Sequence, residues 1–277
     1  MASRRSPEDV ISPPLNDEQV ENYWRDGHLS GIHILTAQQA TLAFSKLVEL
    51  EAQEVAQNPD LWAEQAHQPW QHPGSPWWHW FMGMTTHPTI ISAVTQLLGP
   101  NVMVRNADIF VKGARASKGI RWHTDTTAST EQASKMLTAW LALTDSNKKN
   151  GCLQWATGSH HVELPPEVKD KHSLALSPES FSIISDLPKV SNILRPGQLS
   201  LHHFRTIHRS GGNVTHFPRV GLVIRFMACD TSIEAAESGT GILVAGENTP
   251  GHFGISKRLK VSWNRTAQRQ LSDPRDR

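Results

Sequence analysis

Residues 195–226 read RPGQLSLHHFRTIHRSGGNVTHFPRVGLVIRF. Two β-rich runs, 198–204 and 220–227, flank a segment of Gly, Ser, Asn and His, and such turn residues between strand-like runs mark antiparallel β structure. Working outward, the same texture recurs at 102–111, 136–144 and 152–155. Helical patterns come before it. Asn16 and Gln19 form a capping-box pattern ahead of Val20, Tyr23 and Trp24, and Gly27 closes that helix. A second helix starts at Thr36 with Gln39 as its box partner and carries Phe44, Leu47, Val48 and Val55 at helical spacing. A third runs from about Thr89 to Leu98, with Gly99-Pro100 as its stop. Helices followed by many strands do not make the alternation of a parallel sheet, and no G-x-G-x-x-G or Walker loop is present. The expected fold is mainly β with flanking helices: a helical first third and a sandwich or barrel over about 102–227.

Between these regions, LWAEQAHQPWQHPGSPWWHWFMGM (61–84) holds five of the ten tryptophans and shows no regular period, so it reads as a long ordered loop. Residues 1–14 and 266–277 lack apolar periodicity and read as a flexible lead-in and tail, leaving 15–265 as a single domain. The 277 residues suit one large domain. Lys plus Arg (27) nearly cancel Asp plus Glu (26), so no strong field draws the molecule onto nucleic acid or an anionic membrane, and binding is expected to be local. No apolar stretch reaches 18 residues, and MASRRSPEDVISPP lacks the apolar run of a secretory signal. Cys152 and Cys229 are the only cysteines and have no C-x-x-C spacing, which points to a reducing compartment, the cytoplasm. Fifteen histidines and ten tryptophans direct attention to a site.

In RWHTDT, His123 and Asp125 stand two apart, and on a strand both would project from one face and hold one metal ion between them. With 15 histidines and 12 aspartates in 277 residues, about 0.65 such pairs are expected by chance, so one pair is no evidence by itself and further residues must add weight. The segment at 195–226 supplies His208, Ser210, Asn213 and Arg219, and one more histidine would complete two imidazoles and a carboxylate. That set leaves three positions open on an octahedral Fe(II), enough for a bidentate keto acid and O2. A keto acid such as 2-oxoglutarate also needs a cation for its distal carboxylate. Arg219, eleven residues after His208, offers a fixed charged fork for it.

Several separate stretches then agree with one family. The helix end WRDG, the run HPTIISAVTQLLGPNV, the W-H-x-D at 122–125, LTAWLALTDSNKKNGCLQWATGSHH and the PGQLSLHHF block with its H-R-S-G-G-N and Arg219 together resemble the phytanoyl-CoA dioxygenase family of Fe(II)/2-oxoglutarate oxygenases, over about residues 16–255. The resemblance implies a double-stranded β-helix (jelly roll) and an enzyme using Fe(II), 2-oxoglutarate and O2. It implies His123, Asp125 and His208 as iron ligands and Ser210 and Arg219 as the clamp for the distal carboxylate. Succinate and CO2 would be released as an aliphatic C–H is hydroxylated. Halogenating relatives carry Ala or Gly in place of the metal carboxylate, so Asp125 argues against halogenation. Thr124 stands where Gln is frequent, and Ala156-Thr157 where many members have Ile-Pro.

Thr138 shares a strand face with Trp140 and is a candidate co-substrate contact. On VRNADIFVK, Asn106, Asp108 and Lys112 share one face, where polar groups are costly unless they serve a ligand or a network. With Arg121, Arg225 and Trp78 they make up the candidate substrate contacts, against the plainer readings of a solvated strand and a packed Trp cluster. Their charges suggest a small zwitterionic or anionic metabolite, for example an aminophosphonate or quaternary-ammonium phosphonate. Alternatives are a natural-product or acyl substrate, a zinc protein, or a jelly roll that binds metal or keto acid without turnover. Oligomeric state is left open. Adjacent His202 and His203 alternate faces, so at most one points inward, and neither is read as a ligand.

Overall fold

A computed structural model describes residues 14–57, 73–116, 118–126, 133–163, 176, 181–232, 239–251, 253–257 and 261–263. The polypeptide begins with α1 (Asp17–Asp26), whose capping box forms as expected: Asn16 Oδ1 accepts from the Gln19 N–H and Gln19 Oε1 from the Asn16 N–H. A strand, β1 (His28–His33), interrupts the helical first third. It is followed by α2 (Ala37–Gln57), capped by the Thr36–Gln39 box. The second half of the Trp-rich stretch is not a loop but a helix, α3 (Pro76–Thr85). Ser75 caps it by accepting from the Trp78 N–H, and Pro76 fits the first turn, where no N–H is needed. Residues 61–72, the other half of the expected loop, lie outside the described residues, as do 1–13 and 266–277. Helix α4 (Pro88–Leu98) follows.

The remaining strands are β2 (Val102–Lys112), β3 (Ile120–His123), β4 (Met136–Ala142), β5 (Leu153–Ala156), β6 (Lys189–Ser191), β7 (Gln198–His203), β8 (His208–Ser210), β9 (Arg219–Ala228), β10 (Thr240–Ala245), β11 (Gly254–Ile255) and β12 (Val261–Trp263). The larger sheet runs β1-β7-β4-β9-β2-β10-β11, with β12 also on β2, and the smaller β3-β8-β5-β6. This is a double-stranded β-helix, and it reaches beyond 102–227, because β1 and β10 to β12 belong to the larger sheet.

Alternation along the larger sheet sorts its two faces. Ala107, Ile109 and Val111 of β2, Leu137, Ala139 and Leu141 of β4, Leu199 and Leu201 of β7 and Leu222, Ile224 and Phe226 of β9 share one core cluster with α2, α3 and α4 residues such as Leu47, Phe81 and Val94. Burial of this apolar face, at about 25 cal/mol per Å2, holds the helices to the sheet. The opposite face carries Phe110, Thr138, Trp140, His202, Val223 and Arg225 into a pocket. Gly221 makes room there. A Cβ on it would stand 2.3 Å from the Trp140 ring.

Candidate active site

The smaller sheet places two of the expected donors side by side. His123 ends β3 and is the register partner of His208 on β8, with ring centroids 4.1 Å apart. The strand stops at His123, so Asp125 lies in the following loop, tied to the larger sheet's side by its N–H donating to the Phe204 carbonyl. One donor atom from each of His123, Asp125 and His208 lies within 4.8 Å of the others. His123 Nδ1–H donates to the Arg121 carbonyl and His208 Nδ1–H to the Thr206 carbonyl, both at 2.9 Å. Each imidazole therefore has its tautomer fixed and its Nε2 lone pair free, as a metal ligand requires.

Protonation favours the same role. Desolvation lowers His123, and desolvation together with the neighbouring His123 pushes His208 well below the usual imidazole range, so both stay neutral. Burial alone would raise the Asp125 carboxyl. The Arg225 charge, the His202 hydrogen bond and the His208 charge outweigh it and hold Asp125 well below its ordinary value. A neutral, neutral, anionic set is the state that binds a divalent ion without first losing protons.

The pocket, about 430 Å3 with its open mouth, extends from this triad to Arg219. Arg219 is 1 % exposed and lies over the Trp140 ring at 5.2 Å. One guanidinium N–H donates to the Gly151 carbonyl, while Nε is buried with no partner. Its register partner across β2 and β9 is Lys112, which is fully buried. Lys112 Nζ donates to Ser210 Oγ at 2.7 Å and to the Gly211 carbonyl. Gly151 has φ 75° and a Cβ there would meet the Gly211 carbonyl at 2.3 Å, so only glycine lets these strands close around the pair. Among the described residues no carboxylate pairs with Lys112 or Arg219. Burial, with Arg219 beside it, pushes the Lys112 ammonium down to about 7. Two buried cations without a counter-ion form a site for an anion.

The other end differs. Arg225 donates to Asp108 and its Nη2 stands 3.8 Å from Asp125 Oδ1. Asn106, register partner of Arg225, keeps a buried Oδ1 with no partner.

Of the sequence-derived residues, His123, Asp125, His208, Ser210 and Arg219 surround one pocket. Thr138 also lines it, but its hydroxyl donates to Asp125 Oδ2 at 2.5 Å and so acts on the carboxylate. Lys112 lies beside Arg219, and neither it nor Asn106 or Asp108 lines the pocket. Arg121 is exposed and does not line the pocket; the strand is irregular between Ile120 and His123, so Arg121 does not follow His123 onto the pocket side. Trp78 is a half-buried residue of α3 and does not line the pocket. His202 was missed. It is 1 % exposed, lines the pocket and bonds Asp125, and the only signal for it was that one of the pair at 202 and 203 points inward.

The chain is similar to a probable alpha-ketoglutarate-dependent hypophosphite dioxygenase of Stutzerimonas stutzeri, 27% identical over 149 residues, 51% of this chain and 50% of the relative. It is also similar to an ectoine dioxygenase of Streptomyces avermitilis, 28% identical over 171 residues, 56% of this chain and 58% of the relative. It thus spans about half the length of the curated relatives it matches. Among solved structures, the non-heme monooxygenase ThoJ in its apo form aligns with a TM-score of 0.68 and 26% identity, covering 91% of this chain and 92% of that one. Residues 34–221 match the model of the phytanoyl-CoA dioxygenase (PhyH) family, the family to which this chain belongs.

Proposed function

We propose that the protein is an Fe(II)- and 2-oxoglutarate-dependent oxygenase that hydroxylates an aliphatic C–H of a small polar metabolite. The observation that carries this reading is a two-His, one-carboxylate triad in a pocket that is also lined by the buried Arg219 and by Ser210, with the buried Lys112 bonded to that serine. The donor set fits Fe(II), with His123, Asp125 and His208 as its ligands. Bound iron would supply the redox centre at which O2 is reduced while the keto acid loses CO2 and becomes succinate.

The chain's own residues do the rest. Arg219, Lys112 and Ser210 hold the far carboxylate of 2-oxoglutarate and fix its direction, a positioning role worth far more than the contact alone. Trp140, Phe110 and Val223 line the passage with apolar surface and exclude water from it. On the other side of Asp125, Arg225 lines the pocket, and behind it stand Asp108, its ion-pair partner, and Asn106, whose side-chain carbonyl has no partner. Groups of both signs at this end, Arg225 and Asp125 on the pocket surface, suit a substrate that carries both charges, such as an aminophosphonate or a quaternary-ammonium phosphonate. The names of the relatives mark hypophosphite and ectoine, both small and polar.

The test is succinate formation from 2-oxoglutarate, with Fe(II) and air, across a panel of small zwitterions, small anions and long-chain acyl thioesters. The expected result is that small zwitterions couple best and that Asp125→Ala loses the activity. Coupling by acyl thioesters alone would overturn the substrate class, and succinate formation unchanged in Asp125→Ala would overturn the reaction.

A further inference from the structure

We infer that Thr138 and His202 are positioning residues that decide which oxygen of Asp125 faces the metal, holding Oδ2 and leaving Oδ1 as the single ligand atom. This rests on the reading of Asp125 as an iron ligand. The Thr138 hydroxyl donates to Oδ2 at 2.5 Å. His202 Nε2 lies 3.2 Å from the same oxygen, and since a carboxylate only accepts, that nitrogen carries the proton and donates. Among the described residues no donor reaches Oδ1: Arg225 Nη2, at 3.8 Å, is outside hydrogen-bond range, and the guanidinium is already bonded to Asp108.

The two donors come from neighbouring interior strands of the larger sheet. Thr138 on β4 is the register partner of His202 on β7 and also of Arg225 on β9, so one row of the larger sheet faces Asp125. Asp125 itself lies in a loop, and a ligand on a loop keeps its geometry only when groups on rigid elements hold it. The consequence concerns the number of open positions. A carboxylate with both oxygens free can bind a cation through one or two of them. Two imidazoles and one carboxylate oxygen leave three positions, which a bidentate keto acid and O2 fill completely. A second carboxylate oxygen on the metal would take one of them. With Oδ2 bonded to Thr138 and His202, the carboxylate stays monodentate and the third position stays open.

The test uses four variants of the full chain. Thr138→Val keeps the shape and removes the donor, whereas Thr138→Ser keeps the donor. His202→Phe removes the ring N–H, and His202→Gln replaces it with an amide N–H at similar reach. Metal affinity is read by Co(II) titration of metal-free protein, and coordination by the Co(II) visible spectrum and by the visible band of the Fe(II)–2-oxoglutarate chelate formed without O2. Thr138→Val and His202→Phe are each expected to weaken Co(II) binding about 10- to 100-fold, the usual effect of losing a partner behind a metal ligand, and to diminish the chelate band at saturating Fe(II). Ser and Gln are expected to restore most of both. A folded Thr138→Val protein with wild-type Co(II) affinity and an unchanged band would overturn the inference, and this pair decides alone if His202→Phe does not fold. Wild-type protein that binds no Co(II), or Asp125→Ala that binds it normally, would instead overturn the reading of Asp125 as a ligand, and the inference with it.

Discussion

The two ends of the pocket each present an arginine backed by a second charged residue, and these charges are balanced in opposite ways. At one end Lys112 and Arg219 face each other from paired strands, both fully buried, with hydroxyl and carbonyl partners only. At the other, Arg225 is matched by Asp108 and Asp125 and keeps about a fifth of its side chain exposed. The first arrangement is costly until an anion arrives, whereas the second is satisfied by the protein itself. Cationic side chains in a pocket therefore do not all mean the same thing. On the proposed reading, the unmatched pair marks where the co-substrate carboxylate binds, and the matched one places its charge beside Asp125.

Substitutions can break this contrast. The largest effect is expected from Asp125→Ala or His208→Ala, with loss of Fe(II)-dependent 2-oxoglutarate binding and of succinate formation, measured by the chelate band and by product analysis. Arg225→Met removes the guanidinium that Asp108 and Asp125 share and should lower unfolding stability by about 3 kcal/mol, the lower limit for a broken buried pair because Arg225 is partly solvated. Denaturant unfolding of metal-free protein measures it. Arg219→Met should raise the dissociation constant for 2-oxoglutarate by about 100-fold, as expected for removing one partner of a buried charge pair, while Fe(II) binding alone is unchanged. Isothermal titration separates the two. Lys112→Met should weaken 2-oxoglutarate about 10-fold yet raise the melting temperature of the ligand-free protein, the opposite sign to Arg225→Met.

The last effect is a pH dependence. Lys112 releases its proton near 7 in the fold but only near 10.5 when unfolded, so between these values the unfolded chain binds more protons. Stability should therefore rise with pH across about 7 to 10.5 from this group. Arg219 on β9 and the Cys152 thiol ahead of β5 are the ionisable groups that act on it. The difference between wild type and Lys112→Met, followed by thermal melts, isolates the slope, and saturating 2-oxoglutarate should flatten it by keeping Lys112 charged.

Much of this was legible from residues alone. The runs at 198–204 and 220–227 became β7 and β9 because their apolar residues alternate and their ends carry turn chemistry. Strands β3 and β8 are too short, four and three residues, to show a period, although they carry both histidines of the triad. Helix α3 escaped notice because PWWHWFMG is apolar nearly all round, and Ser75-Pro76 was its only readable signal. Spacing brought His123, Asp125, His208 and Arg219 forward. It could not give strand register, which is what sets Lys112 opposite Arg219 and lines up His202, Thr138 and Arg225.

The most direct test of the site as a whole is an anaerobic titration of metal-free protein with Fe(II) and then 2-oxoglutarate, followed in the visible range. The expected result is the weak metal-to-ligand band of a chelated keto acid, absent in Asp125→Ala and shifted to about 100-fold higher 2-oxoglutarate concentration in Arg219→Met. No band from the wild-type protein, or a band that both variants keep unchanged, would contradict it.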